Sequence, residues 1–411
     1  MDQLFSRLAR RIDSYRDQAI ELQRRLTAVP ALSPKSGGDG ESRKAAALIG
    51  YLKDIGLGGI TVHEARDPEL PHGVRPNLVV RLPGRDHSRT AWVMAHLDVV
   101  PPGDRAQWQS DPYEVRVDGD RIFGRGVEDN QQGLCSAVFA AKAFLDEGVA
   151  PPCDLGLLFV ADEETGSDFG IGYLLDKVPD LFGPRDLIIV PDSGVPDGSQ
   201  IEVAEKGILW LKFTVHGQQT HGSTPEKGIN AHRGAAHLVV ALEELYRKFD
   251  AKDPVFDPPI STFEPTKKDA NVPNVNTIPA TDVFYYDCRV LPTYRLEEVE
   301  AEVARIVAAV AQAHRVTITV EAPQRAAAAP PTPVDAPVVT LLAAGISEVY
   351  HLAGVPVGVG GGTVAAHIRR RGFPVAVWSR LDETLHGPNE YCLLSNLLGD
   401  AKVFAYVFLH A

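Results

Sequence analysis

The run Leu155–Ala161, LGLLFVA, is apolar throughout and empties directly into three acids, Asp162, Glu163 and Glu164. A strand without alternation is one buried on both faces, as in a parallel sheet covered by helices on each side. Three carboxylates set directly after such a strand are costly to desolvate unless they meet a cation. The same pattern recurs three times. Ala91–Ala95 ends on His96, Leu187–Val190 leads to Pro191 and Asp192, and Pro374–Trp378 runs through SRLDETL to His386. Four such strands alternating with helical segments predict an α/β fold whose charged side chains gather at the strands' carboxyl ends, the edge where open α/β sheets bind ligands.

The remaining chain is divided around this sheet. A length of 411 residues with 44% apolar content exceeds what one core holds, so two domains, or one with a large insertion, are expected. At the N-terminus Leu4, Leu8, Ile12, Tyr15, Leu22 and Leu26 recur at helical spacing, with Asp2, Asp13, Asp17 and Glu21 among the arginines. That is a packed amphipathic helix rather than a targeting peptide. A Pro- and Gly-rich loop precedes a second helix, Arg43–Ile55, and a short strand, Asn77–Leu82. GRGVEDNQQG, 124–133, places Asp129 and Asn130 before the helix Leu134–Glu147, where either could serve as a plain N-cap.

Between about Gly207 and Val320 the rhythm changes. The strand Ile208–Val215, helix Ala231–Phe249, strand Thr281–Val290, helix Leu296–Ala313 and strand Val316–Val320 complete a ferredoxin-like split βαβ order if Pro254–Pro279 hides one more strand. We expect a catalytic domain in two pieces, 1–206 and 321–411, around an inserted domain, 207–320. The Ala- and Pro-rich 321–337 reads as the return linker, and Val338–Leu352 as a helix rejoining the first domain.

A net charge of −13 without a basic run argues against nucleic acid and anionic membranes as partners. No stretch approaches the length of a membrane span. Four scattered cysteines, Cys135, Cys153, Cys288 and Cys392, show neither zinc-finger nor disulfide spacing, so a reducing cytoplasm is expected. There is no Gly-x-Ser-x-Gly elbow and no Walker A motif. The glycine run GVGGGT, 358–363, lacks a dinucleotide fingerprint, and the DFG at 168–170 has no accompanying kinase motif.

His96 and Asp98 stand two apart at a strand end and so share a face, which allows a carboxylate–histidine–metal relay. The candidate ligands are then His96, Asp129, Glu164, Asp192 and His386, two imidazoles and three carboxylates, with Glu163 in reserve. This nitrogen and oxygen mixture suits Zn²⁺. One ion would not use five protein groups and stay open to substrate, whereas two ions sharing a carboxylate would. Adjacent glutamates can then divide the labour, one ligating and the other serving as general base.

Taken together, HLDVVP, GRGVEDNQQG, ADEETG, PDSG, THGSTPEKGINA, NVNTIPA, DCRV and LHGPNE resemble the M20 metallopeptidases and amidohydrolases over nearly the whole chain. The resemblance implies a zinc-peptidase-like mixed sheet with flanking helices and an inserted α+β domain that acts as lid and dimerisation surface. It implies that His96, Asp129, Glu164, Asp192 and His386 hold two ions, zinc first, with cobalt or manganese as alternatives. Asp129 would bridge them, Asp98 would back His96, Glu163 would be the base, and the Asp129–Asn130 peptide would be cis. In the inserted domain it implies His221 as oxyanion donor, and Arg289, Asn276, Gly361 and Gly362 as holders of a substrate carboxylate. On the residues alone, His221 reads as a loop histidine and Arg289 as a strand-edge ion pair.

There are departures as well. Val364-Ala365-Ala366 replaces the Asp-Ala-Arg run of many relatives, which blurs the subgroup, and Asp192 matches the dipeptidase and glutamate carboxypeptidase branches rather than the deacylases. The expected activity is hydrolysis of a dipeptide or N-acyl-amino acid by a cytoplasmic homodimer with His221 acting across the interface. The alternatives are a biosynthetic deacylase, such as a succinyl-diaminopimelate desuccinylase or acetylornithine deacetylase, and an inactive metal-binding regulatory protein.

Overall fold

The computed structural model describes residues 3–411, so Met1 and Asp2, which begin the expected first helix, lie outside it. The chain forms two compact units, one of the described residues up to 203 with 332–357 and 367–411, the other of residues 204–331 and 358–366.

An eight-stranded mixed sheet organises the first unit, in the order Ile60–Arg66, Val74–Leu82, Cys153–Val160, Asp86–His96, Leu187–Gly194, Val375–Ser379, Gln200–Glu205, Val355–Val359. The four strands expected from their unbroken apolar runs are its parallel middle. Their register decides where the chemistry falls. His96 lies opposite Val160, two residues before Asp162, and Val377 lies opposite Val190, two before Asp192. All the acids and His96 therefore emerge at one edge. The strands outside that middle run antiparallel where Val74–Leu82 meets Cys153–Val160 and where Gln200–Glu205 meets Val375–Ser379.

The helix after the glycine-rich loop begins at Gln131, three residues earlier than the apolar pattern suggests, and runs to Asp146 with every side chain through Phe144 buried. It packs against the C-terminal helix Leu394–His410. Gly133 lets its first turn approach Pro191, since a Cβ there would meet the proline ring at 2.5 Å. At the N-terminus two helices, Gln3–Asp13 and Arg16–Thr27, replace the single one expected. Ser14 Oγ donates to the Arg11 carbonyl at 2.6 Å, competing with the helical ladder, and the Tyr15 hydroxyl donates to Asp146 at 2.7 Å.

In the second unit the antiparallel strands are ordered Thr262–Lys268, Thr281–Val290, Gly207–His216, Thr317–Ala326. With the helices Ala231–Leu242 and Leu296–His314 this is the split βαβ arrangement, and Thr262–Lys268 is the strand hidden in the long loop. Strict alternation along Gly207–His216 turns Leu209, Leu211, Phe213 and Val215 into the core, where Phe213 stacks on Phe284 at 4.9 Å. The helix expected over Ala231–Phe249 breaks at Glu243.

Two boundaries differ from expectation. Residues 321–326, read as linker from their composition, continue the last strand, with Gln324 opposite Trp210 and Ala326 opposite Ile208. A register shift between Glu321 and Gln324 carries Pro323 past the ladder it cannot donate to. The glycine run 358–363 belongs to the second compact unit rather than to the C-terminal piece of the first.

Candidate metal centre

At the carboxyl edge of the parallel strands, His96 Nε2 faces Asp129 Oδ1 at 2.9 Å and Asp192 Oδ1 at 3.3 Å. Asp129 turns its other oxygen to His386 Nε2 at 3.1 Å, and His386 Nε2 lies 3.2 Å from Glu164 Oε2. All five sequence-derived ligands thus meet in two lobes that share Asp129. Glu163 lies beside the first lobe, its Oε2 4.0 Å from His96 Nε2. Donor atoms of His96, Glu163 and Asp192 lie within 4.8 Å of one another, as do those of His96, Asp129 and Glu164.

The relay behind His96 is built differently from the expectation. Nδ1 donates to the backbone carbonyl of Asp98 at 3.0 Å, which leaves Nε2 as the nitrogen able to ligate. The Asp98 carboxylate is 3.5 Å from Nδ1 and accepts instead from the backbone N–H groups of Glu163, at 3.1 Å, and Glu164, at 3.0 Å. Nor does Asp129 or Asn130 cap the helix through its side chain. The Asp129–Asn130 peptide is cis, as the resemblance implies. Asn130 Nδ2 donates to the Pro191 carbonyl and to Asp192 Oδ1, both at 2.7 Å, so this residue fixes a neighbouring candidate ligand. An Asn next to an acid gives no sequence signal of that role.

Charge in the cluster is unbalanced. Burial, then Asp192, pushes the Glu163 carboxyl well above its ordinary value, and burial also raises Glu164. Against its own burial, hydrogen bonds from His386 and His96 hold Asp129 below the carboxylate range. Hydrogen bonding to Asp129, and then to Glu164, lifts His386 to about 10. Glu164 Oε1 is buried without a hydrogen-bond partner. Four crowded carboxylates, one carrying an orphaned oxygen, against two imidazoles are a donor set that fits divalent cations.

A second buried network, unmarked in the sequence, supports the acid loop. Arg75 reaches Asp67 at 2.8 Å and both Glu41 and Asp162 at 3.1 Å, and none of these four side chains is more than 4% exposed. An arginine inside a strand carries no motif.

In the second unit, Thr220–His221 pairs with Thr277–Ile278, and Gly222 N donates to the Asn276 carbonyl at 2.7 Å, so His221 and Asn276 share one ribbon. The Ser223 N–H donates to His221 Nδ1 at 3.2 Å, which leaves the proton on Nε2 as an exposed donor. Arg289 is already engaged. Its Nε and Nη2 grip Asp287 at 2.6 and 3.0 Å, and Nη1 donates to the Gly360 carbonyl at 2.8 Å, beside Gly361 and Gly362. The open space around Gly361, where a Cβ would meet nothing within 4 Å, leaves that loop's backbone approachable.

This fold and the doubled histidine–carboxylate cluster define a metal-dependent hydrolase. The chain belongs to the peptidase family M20/M25/M40, whose model matches residues 92–410. It is 38% identical over 408 residues to an uncharacterized metallohydrolase of Methanococcus maripaludis, covering 94% of this chain and 98% of that protein. A succinyl-diaminopimelate desuccinylase of Gluconobacter oxydans is 31% identical over 64% of this chain and 65% of its own. The aminopeptidase PepT of Bacillus cereus shares the fold, with a TM-score of 0.73 at 18% identity over 96% of this chain and 98% of that one. The protein is an enzyme that binds divalent metal, and the regulatory alternative is set aside. Among the described residues no helix is long and apolar enough to cross a membrane.

Proposed function

We propose that the enzyme cleaves the amide bond of a small substrate bearing a free carboxylate, a dipeptide or an N-acyl-amino acid, with two divalent ions, zinc first. The single observation that carries this reading is Asp129, whose two carboxylate oxygens face different histidines, His96 and His386. His96 and Asp192 would hold one ion and Glu164 and His386 the other, with Asp129 available to both. When bound, the ions supply Lewis acidity, lowering the pKa of water and polarising the amide carbonyl.

The protein groups do the proton work. Glu163, beside the first lobe, takes a proton from the attacking water as the oxygen bonds to the carbonyl carbon, then passes it to the nitrogen as the C–N bond breaks. His221, with Nε2–H outward, donates to the oxyanion, and its place outside the unit that carries the ligands supports a homodimer in which it acts across the interface. Arg289, Asn276, Gly361 and Gly362 receive the substrate carboxylate. Because the Nε–Nη2 fork is on Asp287, the carboxylate would meet the Nη1–Nη2 edge. Four buried free thiols suit a reducing cytoplasm.

Identity to a desuccinylase favours a second reading, deacylation of an N-succinyl diamino acid. A panel of dipeptides, N-acetyl amino acids and N-succinyl diamino acids, each with Zn²⁺, Co²⁺ and Mn²⁺, separates the two. Cleavage of free-carboxylate dipeptides or N-acyl amino acids and sparing of their amidated analogues is expected. Preference for the N-succinyl compounds would move the assignment to the second reading.

A further inference from the structure

Glu390 is fully buried at the end of the loop that also carries His386, directly before the strand Tyr391–Leu393. Its carboxylate is saturated by one segment of chain. Oε2 accepts from Arg125 Nη1 at 2.6 Å and from the Gly126 N–H at 2.9 Å, while Oε1 accepts from the N–H groups of Glu128 at 2.9 Å and Asp129 at 3.1 Å. Arg125 answers across the gap, its Nη2 donating to the carbonyls of His386 at 3.2 Å and Gly387 at 3.1 Å. Glu128 returns the contact once more, accepting from the Asp382 N–H at 2.7 Å and from the N–H and hydroxyl of Thr384 at 2.5 and 2.7 Å. Segments 124–130 and 382–390 are thus cross-linked in both directions although they are more than 250 residues apart in the chain.

The two lobes of the cluster depend on this clasp unequally. His96 and Asp192 lie on sheet strands, and Asn130 pins Asp192. By contrast Asp129, Glu164 and His386 all follow irregular or short-turn backbone, and His386 has a side chain 49% exposed and a positive φ of 60°. A ligand of that kind is placed by what grips its main chain.

We propose that Glu390 and Arg125 are positioning residues that hold Asp129 and His386 at a fixed separation and so set the metal affinity of the lobe formed by Asp129, Glu164 and His386. This rests on the two-ion reading above. Glu390→Gln would turn an amide donor toward backbone donors, and Arg125→Lys keeps the charge but gathers on one nitrogen the bonds that the guanidinium spreads over two.

The test has two arms. Calorimetric titration of chelator-treated full-length protein with Zn²⁺ or Co²⁺ alone should give two sites in the wild type, one of them weakened roughly 10- to 100-fold in Glu390→Gln and Arg125→Lys, the other little changed. Hydrogen exchange on the metal-free proteins should show 124–130 and 382–390 opening together while 153–160 stays protected. Thr384→Val, near-isosteric, removes only the hydroxyl bond to Glu128 and its ties to Tyr391, and should shift the same site less, which keeps the test in force if the buried variants misfold. A single wild-type site would refute the two-ion reading, and exchange would then judge the clasp alone. Unchanged exchange, or two sites that weaken equally, would overturn the clasp.

Discussion

Arg75→Met tests whether the acid loop rests on buried charge. The guanidinium, 2% exposed, serves Glu41, Asp67 and Asp162, and methionine keeps much of the volume while removing the cation. Removing one partner of a buried pair costs roughly 3–5 kcal/mol because the other charge stays desolvated, and here three acids lose the same partner. Neutralisation sets the limit on that cost. Burial, then Asp98, pushes Glu41 up to about 7 even with Arg75 opposing. Its unfolded value is about 4.3, so the folded state binds the extra proton, and stability falls as pH rises through the window between those values. Without Arg75 the folded pKa rises further and the window widens upward. At pH 5 Glu41 is protonated in both folded proteins and contributes nothing to the difference, so the deficit should be smaller there than at pH 8 by roughly 1–2 kcal/mol. Urea unfolding with chelator present, followed by tryptophan fluorescence, measures it, since three of the four tryptophans, Trp92, Trp108 and Trp378, belong to the first unit. A deficit below about 1 kcal/mol at pH 8, or one equal at both pH values, would refute the reasoning.

Glu163→Gln should abolish turnover while metal content is retained, and Glu164→Gln should lose metal instead; elemental analysis beside a rate assay detects an exchange of the two roles. Chelator dialysis should remove hydrolysis, and Zn²⁺, Co²⁺ or Mn²⁺ should restore it, with activity surviving exhaustive chelation as the contrary result. Asn130→Ala should weaken the lobe containing Asp192 roughly 10- to 100-fold in a metal titration, since the side chain that fixes that ligand is gone. Mixing the inactive Glu163→Gln and His221→Ala proteins should restore about a quarter of wild-type activity if His221 acts across a two-fold dimer, because half the re-paired dimers carry one competent site of two. Demonstrated subunit exchange without recovered activity would place His221 in its own chain's site.

How much of this was legible in the sequence follows burial. The four parallel strands are legible because they are apolar without alternation, and the cluster of candidate ligands because each follows such a strand or lies in a glycine-rich turn. Ile60–Arg66 gives no strand signal because HEAR carries charges that an edge position tolerates, and Gln200–Glu205 gives none because its two glutamates, though buried, are held by residues distant in sequence, Glu202 by Arg369 at 2.9 Å and Glu205 by Thr363 at 2.5 Å. Residues 321–326 were misjudged because their Ala and Pro content describes a linker, while the ladder simply steps over Pro323 with a register shift. The roles of Asn130, Arg75 and Glu390 were invisible because each acts on the backbone or side chain of a residue distant in sequence, and a single chain does not encode its partners as spacing.

Asp98 shows what spacing can and cannot establish. Being two residues from His96 places both side chains on one face, yet the register of the neighbouring strand decides which donor the carboxylate meets, and it meets two backbone N–H groups. The strand Cys153–Val160 ends before the glutamates, so strand alternation does not separate their side chains. They stand instead in the single 3-10 turn Glu163–Thr165, entered through Asp162 in the left-handed region at φ 62°. Successive residues of such a turn point about 120° apart. That divergence brings Glu163 to the His96 and Asp192 lobe and Glu164 to Asp129 and His386. Asp98 fixes the turn from one side, one oxygen to each N–H, while Asp162 fixes it from the other by accepting from the Phe169 N–H at 3.1 Å and from Arg75. The proposed division of two chemically identical neighbours into base and ligand thus rests on a turn that the buried Asp98 and Asp162 hold from either side.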